Sequence, residues 1–282
     1  TMEAYYQAKR RLFTTLGGGG KPAGAVINHD DPWGRRLAAD PDIKVPVLTF
    51  GLAGGAAVRA TEVVLGPAGS DFTVHGPWGE SRVHIPLLGG FNLQNGLAAY
   101  TAARAMGVEE AVVVRALAGR TAVPGRLEEI PTRHGFRVFV DYAHTDDALA
   151  NVLETLRAFT EGRLIVVFGC GGNRDRCKRA LMGAAAARLA DRAVLTSDNP
   201  RDEVPAAIIE EIRAGFGDKT NYAIVEDRTG AIHQALAMAG DKDVILIAGK
   251  GHETTQERQG VYSLFDDRQM VRKILKEMDG TR

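Results

Sequence analysis

Cysteine, surplus charge and long apolar stretches are all scarce in this sequence of 282 residues. The two cysteines, Cys170 and Cys177, match neither a C-x-x-C pair nor a disulfide framework, so we expect incidental thiols. Lys and Arg number 35 and Asp and Glu number 35, which removes the charge surplus that indiscriminate nucleic-acid binding needs. No apolar run reaches the roughly 18 residues that cross a bilayer, and the charged N-terminus does not resemble a secretory signal. We expect a cytoplasmic protein with no membrane span and no nucleic-acid partner.

The first part of the chain mixes helical and strand patterns. Residues 2–13 predict a helix, which the run GGGGKP at 17–22 ends. Short Val-rich runs alternate with Gly and Pro turns over residues 45–87, a pattern typical of an antiparallel sheet. Two further helices are predicted at 91–106 and 109–117.

Beyond about residue 133 the pattern changes to apolar, β-branched runs separated by helix-compatible stretches. Strands that alternate with helices indicate a parallel sheet covered on both faces, because each parallel pair needs a long crossover. We therefore predict an α/β fold with two domains, 1–133 and 134–282, the second of them Rossmann-like. Its predicted strands are RVFVDYA, RLIVVFG, RAVLTSD, NYAIVED and DVILIAG.

Polar loops follow four of these strands, at 141–147, 169–179, 197–203 and 249–257. Ligands of open parallel sheets bind at the carboxyl ends of the strands, so these loops are expected to surround one crevice. Each loop alone also has an ordinary structural interpretation, as a turn, a helix cap or a charged surface. Their joint occurrence predicts a site for a polar, anionic or zwitterionic small molecule.

The glycine-rich loop at 169–179 is not a dinucleotide fingerprint, because Arg174 stands where the last glycine of G-x-G-x-x-G belongs. The sequence contains no G-x-x-x-x-G-K-[ST] phosphate loop either. Asp141 could bind ribose hydroxyls or cap the following helix, and His144 could contact a phosphate. His252 beside Glu253 could do acid–base work, although no partner in the sequence fixes that role.

The ordered set of motifs resembles the Mur ligases, specifically the branch that adds the third residue to UDP-N-acetylmuramoyl-dipeptide in peptidoglycan synthesis. The motifs that carry this resemblance run over essentially the whole chain and keep the family's order. They are YYQAKRRLF, NLQNGLAAYTAA, VPGRLE, DYAHTDDAL, FGCGGNRDRCKRALMG, TSDNPRDEVP, AGKGHETTQE and FDDRQ. Asp146, Cys177 and Ala180 depart from the usual family residues in two of these loops.

The resemblance implies a partial Mur ligase central domain over 1–133, followed by the C-terminal amino-acid-binding domain. It implies that Lys9 is carbamylated and helps to hold Mg²⁺, and that Lys9, Arg126 and His144 serve catalysis. The implied ATP-site residues are Asn95, Arg126, Asp141 and His144. The implied pocket for meso-diaminopimelate consists of Arg174, Asp198, Asn199, Pro200, Arg201, Gly249 and Glu253. A forked Arg201 suits the second carboxylate of diaminopimelate.

The activity so implied is ATP-dependent formation of an amide bond between UDP-N-acetylmuramoyl-L-alanyl-D-glutamate and meso-diaminopimelate. Two alternatives stay open: a ligase of the same type with another acceptor, and a non-catalytic binding module of the same fold. Without a phosphate loop, the 282 residues are expected to be inactive alone. An assay of phosphate release with all three substrates tests this, and turnover like that of a full-length homologue would refute it.

Overall fold

The computed structural model describes residues 1–119 and 123–280, and it divides into two compact units, Thr1–Thr121 and Ala122–Arg282. Each unit has its own sheet and its own hydrophobic core. No helix within the described residues combines the length and the apolar composition that a membrane crossing requires. The domain boundary predicted near residue 133 concerns the family's domains and stays a prediction.

In the first unit, five strands form one sheet in the order β1-β2-β3-β4-β5. The predicted antiparallel pattern is confirmed from β3 to β5, but β2 pairs in parallel with both β1 and β3. The helix α2 (Pro32–Ala38), between β1 and β2, provides the crossover that a parallel pair requires. The strands are β1 (Ala25–Asn28), β2 (Val47–Gly51), β3 (Val58–Gly66), β4 (Gly69–Gly76) and β5 (Gly79–Ile85).

Among the described residues, four helices accompany this sheet. Three of them match the helices predicted at 2–13, 91–106 and 109–117, and α2 has no counterpart among the predictions. The first helix begins after Thr1, whose side chain caps it by accepting from the Ala4 amide, and its last residue is Thr14. Side chains such as Phe72, Val83 and Leu97 fill the core between the sheet and the helices. The helices are α1 (Met2–Thr14), α2 (Pro32–Ala38), α3 (Gly90–Ala105) and α4 (Glu110–Ala118).

In the second unit, six strands form one sheet in the order β10-β9-β8-β11-β7-β6. All its pairs are parallel except β6–β7, which confirms the predicted α/β architecture. The central strands β8 and β11 are buried along their whole length, as expected of a parallel sheet covered on both faces. The strands are β6 (Glu128–Ile130), β7 (Arg137–Asp141), β8 (Leu164–Phe168), β9 (Arg192–Leu195), β10 (Tyr222–Ile224) and β11 (Val244–Ala248).

The remaining elements of this unit are helices and one hairpin. The helices are α5 (Asp146–Arg157), α6 (Cys177–Leu189), α7 (Pro205–Ala214), α8 (Arg228–Met238) and α9 (Asp267–Gly280). Part of the loop predicted at 249–257 instead belongs to an antiparallel hairpin of β12 (Thr255–Arg258) and β13 (Val261–Leu264). Gln259 and Gly260 connect its strands with φ values of +50° and +73°. Two left-handed residues make the type of turn that matches the twist of a hairpin.

Candidate functional site

The carboxyl ends of β7, β8, β9 and β11 open onto one cavity of about 460 Å³ within the second unit. Cationic and anionic side chains both line it, so its wall is suited to a zwitterion. Of the predicted site residues, the cavity brings together His144, Arg174, Asp198, Asn199, Arg201, Gly249 and Glu253. Pro200, Arg126 and Asp141 lie in the same unit but do not line the cavity among the described residues.

Arg201 stands in a left-handed conformation, with φ of +50°, which is uncommon for a residue with a side chain. Its amide donates to the Glu257 carbonyl at 3.2 Å, and its carbonyl accepts from the Gln259 amide at 2.8 Å. Its Nη1 donates to the Gly172 carbonyl at 2.8 Å, and its Nε lies 3.1 Å from the Glu257 carboxylate. Within the described residues the Nη2 group donates no hydrogen bond, so part of the guanidinium fork is left for a ligand.

Strand β12 supports residues 198–201, here called the D-N-P-R segment, and the sequence analysis missed this role. The side chain of Gln256 donates to the Asp198 carbonyl, and the Glu257 amide donates to Asn199 Oδ1 at 3.0 Å. Arg201 and Arg258 form an isolated parallel bridge between the two segments. The signal that could have found this strand is the Q-G turn after it, because TQER itself contains no apolar residue.

The turn after β11 carries Glu253 to the cavity wall. Gly249 has φ of +117°, and a Cβ on it would lie 2.8 Å from Asp198 Oδ2. Only glycine therefore fits between β11 and the D-N-P-R segment. Glu253 accepts from Asn199 Nδ2 at 3.0 Å and from the Tyr142 hydroxyl at 3.4 Å. His252 is exposed and is not among the described residues that line the cavity, so its acid–base role beside Glu253 stays a prediction.

The loop after β8 packs directly on the D-N-P-R segment. A Cβ on Gly172 would lie 1.9 Å from the Pro200 carbonyl oxygen, so a side chain cannot be accommodated there without a shift. Asn173 donates from its amide to Glu203 at 2.6 Å. Arg174 lines the cavity, is exposed, and makes no hydrogen bond or ion pair inside the described ranges. Its guanidinium is therefore available to a ligand.

A buried arginine joins this loop to helix α7. Arg179 is fully buried and donates to Glu203 at 2.8 Å through both Nη1 and Nη2, and to Glu211 at 2.9 Å. Its hydrogen bonds, together with that of the Asn173 amide, lower the pKa of Glu203 to about 2. The Arg179 Nη2 also donates to the Gly171 carbonyl at 3.3 Å. Arg179 therefore holds the glycine-rich loop in place while lying outside the cavity.

A second buried arginine fixes the ends of β9 and β11. Arg228 bonds both oxygens of Asp267, at 2.8 and 2.7 Å, and both side chains are fully buried. Its Nη groups also reach the carbonyls of Ser197 at 3.4 Å and Ala248 at 3.0 Å. Asp198 Oδ2 lies 3.9 Å from Arg228 Nη1. The two residues of the ion pair are 39 positions apart, and no sequence signal connects them.

Residues predicted for the nucleotide side differ in exposure. Asp141 is buried and accepts from the amides of Leu127 at 2.6 Å and Ala143 at 2.7 Å. Burial raises its pKa, and these hydrogen bonds oppose the rise. His144 is exposed, and its Nδ1 bonds the Tyr142 carbonyl at 2.9 Å, which places the proton on Nδ1.

Tyr142 connects the residues predicted for the nucleotide side to the cavity, which it lines. The guanidinium of Arg126 lies 4.6 Å from the centre of the Tyr142 ring, within the range of a cation–π contact. The His144 ring centre lies 4.7 Å from that of Tyr142. Burial and the nearby Glu253 raise the pKa of Tyr142, so its hydroxyl stays protonated and donates to Glu253.

Lys9 and Asn95 belong to the first unit, on α1 and α3 respectively, and both are exposed. The Lys9 ammonium lies 5.4 Å from the Tyr5 ring centre. In the part of the chain that the structure describes, no three His, Cys, Asp or Glu side chains lie close enough to hold a metal ion. The residues present therefore do not form a ready-made Mg²⁺ site.

The two thiols differ in environment, and neither lies in such a metal cluster among the described residues. Cys170 is buried in the cavity wall, and burial raises its pKa to about 12, which leaves it unreactive near neutral pH. Cys177 is exposed at the start of α6.

Comparison with known proteins gives matches along most of the chain. The model of the Mur ligase middle domain matches residues 1–103, and that of the Mur ligase glutamate ligase domain matches residues 125–251. The UDP-N-acetylmuramoyl-L-alanyl-D-glutamate--2,6-diaminopimelate ligase of Streptomyces coelicolor is 46% identical over 287 residues, covering 99% of this chain and 56% of that protein. The enzyme of the same name from Geobacter metallireducens is 44% identical, covering 98% of this chain and 58% of that protein.

Solved structures agree with these sequence matches. The structure of a UDP-N-acetylmuramoyl-L-alanyl-D-glutamate--2,6-diaminopimelate ligase aligns with a TM-score of 0.64 and 37% identity, covering 99% of this chain and 57% of that one. A MurF ligase from Thermotoga maritima in complex with ADP aligns with a TM-score of 0.69 at 19% identity, covering 100% of this chain and 59% of that one, and shares the fold. The chain spans 56–58% of the length of the curated relatives described above.

Proposed function

This chain belongs to the Mur ligase family, and we propose that it forms the amino-acid-binding side of a ligase that adds meso-diaminopimelate to UDP-N-acetylmuramoyl-L-alanyl-D-glutamate. The proposal assigns the cavity of the second unit to diaminopimelate. It assigns Lys9 and Asn95 of the first unit, with Arg126, Asp141 and His144, to the nucleotide side of the reaction. The reaction would take place in the cytoplasm and serve peptidoglycan synthesis and cell-wall formation.

The observation that carries this proposal is the charge pattern of the 460 Å³ cavity. Meso-diaminopimelate has a carboxylate and an amine at each end, so its site needs both cations and anions. Arg174 and Arg201 offer guanidinium groups to carboxylates, whereas Glu253 and Asp198 offer carboxylates to an ammonium. L-lysine lacks the second carboxylate and would leave one of these arginines without a partner.

The proposed reaction joins the D-glutamyl carboxylate of one substrate to an amine of the other. ATP supplies the phosphoryl group that converts the D-glutamyl carboxylate into an acyl phosphate, and ADP leaves. The cavity then has to hold the far end of diaminopimelate by its charges and leave the near amine free to attack that carbonyl. The amide bond forms as phosphate leaves, and the attacking amine loses a proton. The carboxylates of Asp198 and Glu253 keep the far amine protonated, so it does not compete as a nucleophile.

The residues assigned to the nucleotide differ in how they fit that role. Arg126 and His144 are exposed and flank the Tyr142 ring, so a cation and an imidazole are available for a phosphate. Asp141 is buried and already accepts two backbone amides, so its contribution is to hold Leu127 and Ala143. The described residues contain no cluster of His, Cys, Asp or Glu that could hold Mg²⁺.

Calorimetric titration of the 282-residue chain with meso-diaminopimelate tests the proposal. We expect one site per chain and at least tenfold weaker binding of L-lysine, since losing a charged hydrogen-bonded contact removes about 1.5–3 kcal/mol. Absence of binding, or equal binding of both amino acids, would contradict the assignment of the cavity.

A further inference from the structure

Lys250 is a charged residue with no assigned role, and its side chain is fully buried. It lies behind the cavity wall and is not among the described residues that line the cavity. Burying an ammonium group is unfavourable unless hydrogen bonds and an opposite charge compensate it. The partners of Lys250 therefore indicate why a lysine stands at this position.

Two cavity residues are the partners of this ammonium. Lys250 Nζ donates to Asn199 Oδ1 at 3.1 Å and lies 3.5 Å from Glu253 Oε2. The Glu253 side chain is 33% exposed and lines the cavity, whereas Lys250 is 0% exposed. The positive charge thus lies behind the wall and the negative charge at its surface.

The contacts of Asn199 determine how its amide group is oriented. Its Oδ1 receives two donors, the Lys250 ammonium at 3.1 Å and the Glu257 amide at 3.0 Å. Neither donor can accept a hydrogen bond, so the side of the amide that faces them must be the oxygen. The Nδ2 group consequently points to Glu253 Oε2, which it reaches at 3.0 Å.

The backbone around Lys250 leaves little room for adjustment. Gly249 and Gly251 flank it with φ of +117° and +53°, and a Cβ on Gly251 would lie 2.7 Å from both the Gly125 carbonyl oxygen and Tyr142 Cβ. The Glu253 amide closes the turn by donating to the Lys250 carbonyl at 2.9 Å. The backbone is therefore fixed on both sides of Lys250.

We infer that Lys250 is a positioning residue for the acceptor amino acid: it orients the Asn199 amide and fixes Glu253 Oε2, so that Glu253 presents its other oxygen to a substrate ammonium. That other oxygen, Oε1, has only the Tyr142 hydroxyl near it among the described residues, at 3.4 Å, a long contact that an ammonium can replace. This inference rests on the proposed function, because it takes the cavity as the diaminopimelate site.

A double-mutant cycle tests whether Lys250 acts through Glu253. Binding of meso-diaminopimelate is measured by calorimetry for the unaltered chain, Lys250→Met, Glu253→Gln and the double variant. We expect each single substitution to weaken binding at least tenfold. In the Glu253→Gln background, Lys250→Met should weaken binding by less than about threefold, because the residue through which it acts is already impaired.

The cycle distinguishes positioning from a general structural effect. A merely structural loss would weaken binding by the same factor in both backgrounds, and that outcome would overturn the inference. Unchanged binding by Lys250→Met, beside tight binding by the unaltered chain, would overturn it as well and leave the proposed function standing. If the unaltered chain does not bind meso-diaminopimelate, the proposed function and the inference fail together.

Two controls keep the test decisive. Lys219→Met removes a lysine whose ammonium bonds the Ala187 carbonyl at 2.9 Å, away from the cavity, and it should leave binding unchanged. If Lys250→Met does not fold, as judged by its thermal unfolding, Lys250→Gln keeps a hydrogen-bond donor without the charge. The same non-additivity with Glu253→Gln is then expected.

Discussion

The two units hold their predicted functional residues in different ways. In the first unit, Lys9 and Asn95 are exposed side chains on helices, and no described hydrogen bond fixes either of them. In the second unit, Asn199 bonds Glu253, and both Asn199 and Arg201 contact Glu257 of the supporting strand β12. The proposed amino-acid pocket is therefore pre-organised within its own unit, which is what tight recognition of a small zwitterion requires.

Breaking the buried ion pair between Arg228 and Asp267 tests this contrast most severely. Arg228→Met leaves the Asp267 carboxylate buried without its partner, and we expect a loss of about 3–5 kcal/mol in the free energy of unfolding. Urea denaturation measures this. Lys9→Met in the first unit removes an exposed charge and should change stability by less than about 0.5 kcal/mol. Similar losses from the two substitutions would contradict the contrast between the units.

A single methyl group tests how closely the loops of the second unit pack. In Gly172→Ala the new Cβ would meet the Pro200 carbonyl oxygen at 1.9 Å, so the D-N-P-R segment must shift. We expect about 1–3 kcal/mol of destabilisation and at least tenfold weaker binding of meso-diaminopimelate. Gly54→Ala in the first unit is the matched control, since a Cβ at Gly54 would have no described atom within 4 Å. If thermal unfolding and calorimetry gave the same values for both variants, the close packing of the two loops would be contradicted.

Arg201→Lys tests the pocket at the level of a single contact. Lysine keeps the charge but lacks the planar fork, so affinity for meso-diaminopimelate should fall by about 1–3 kcal/mol. Arg258→Lys is the matched control, because Arg258 is 62% exposed and its described ion pair is with Glu226 on the surface. Calorimetry on both variants decides the matter. Equal affinities of the Arg201 and Arg258 variants for meso-diaminopimelate would show that the D-N-P-R segment does not belong to the site.

A smaller effect concerns pH. Arg179 lowers the pKa of Glu203 from 4.5 to about 2. The ionised Glu203 side chain therefore stabilises the fold fully above pH 4.5, and this contribution is lost as the pH falls from 4.5 towards 2. Glu203→Gln should therefore be less stable than the unaltered chain at pH 7, and the difference should shrink between pH 4.5 and 2. Denaturation curves at several pH values measure this difference in the free energy of unfolding. A difference that stayed constant between pH 4.5 and 2 would contradict the prediction.

Much of the second unit could be predicted from the sequence because its strands are apolar runs with polar residues at their ends. The convergence of Arg174, Asp198 and Glu253 follows from the parallel topology alone. The supporting residues could not be predicted in this way. Arg228 and Asp267 meet only through the packing of α8 and α9, and Glu257 reaches Arg201 only because β12 forms a hairpin.

The first unit shows a different limit of sequence reasoning. Its alternating runs predicted strands correctly, but the direction of β2 depends on the crossover through α2 rather than on any property of β2 itself. The resemblance to a family supplied roles for Lys9 and Asn95 that no local contact indicates among the described residues. Those roles stay predictions.

A crystal structure of this chain with bound meso-diaminopimelate would decide whether the cavity is the amino-acid site. We predict that the ligand lies in the 460 Å³ cavity, with a carboxylate on the free edge of Arg201 and an ammonium against Glu253. A ligand bound elsewhere on the chain, or one that leaves Arg201 and Glu253 untouched, would contradict this assignment.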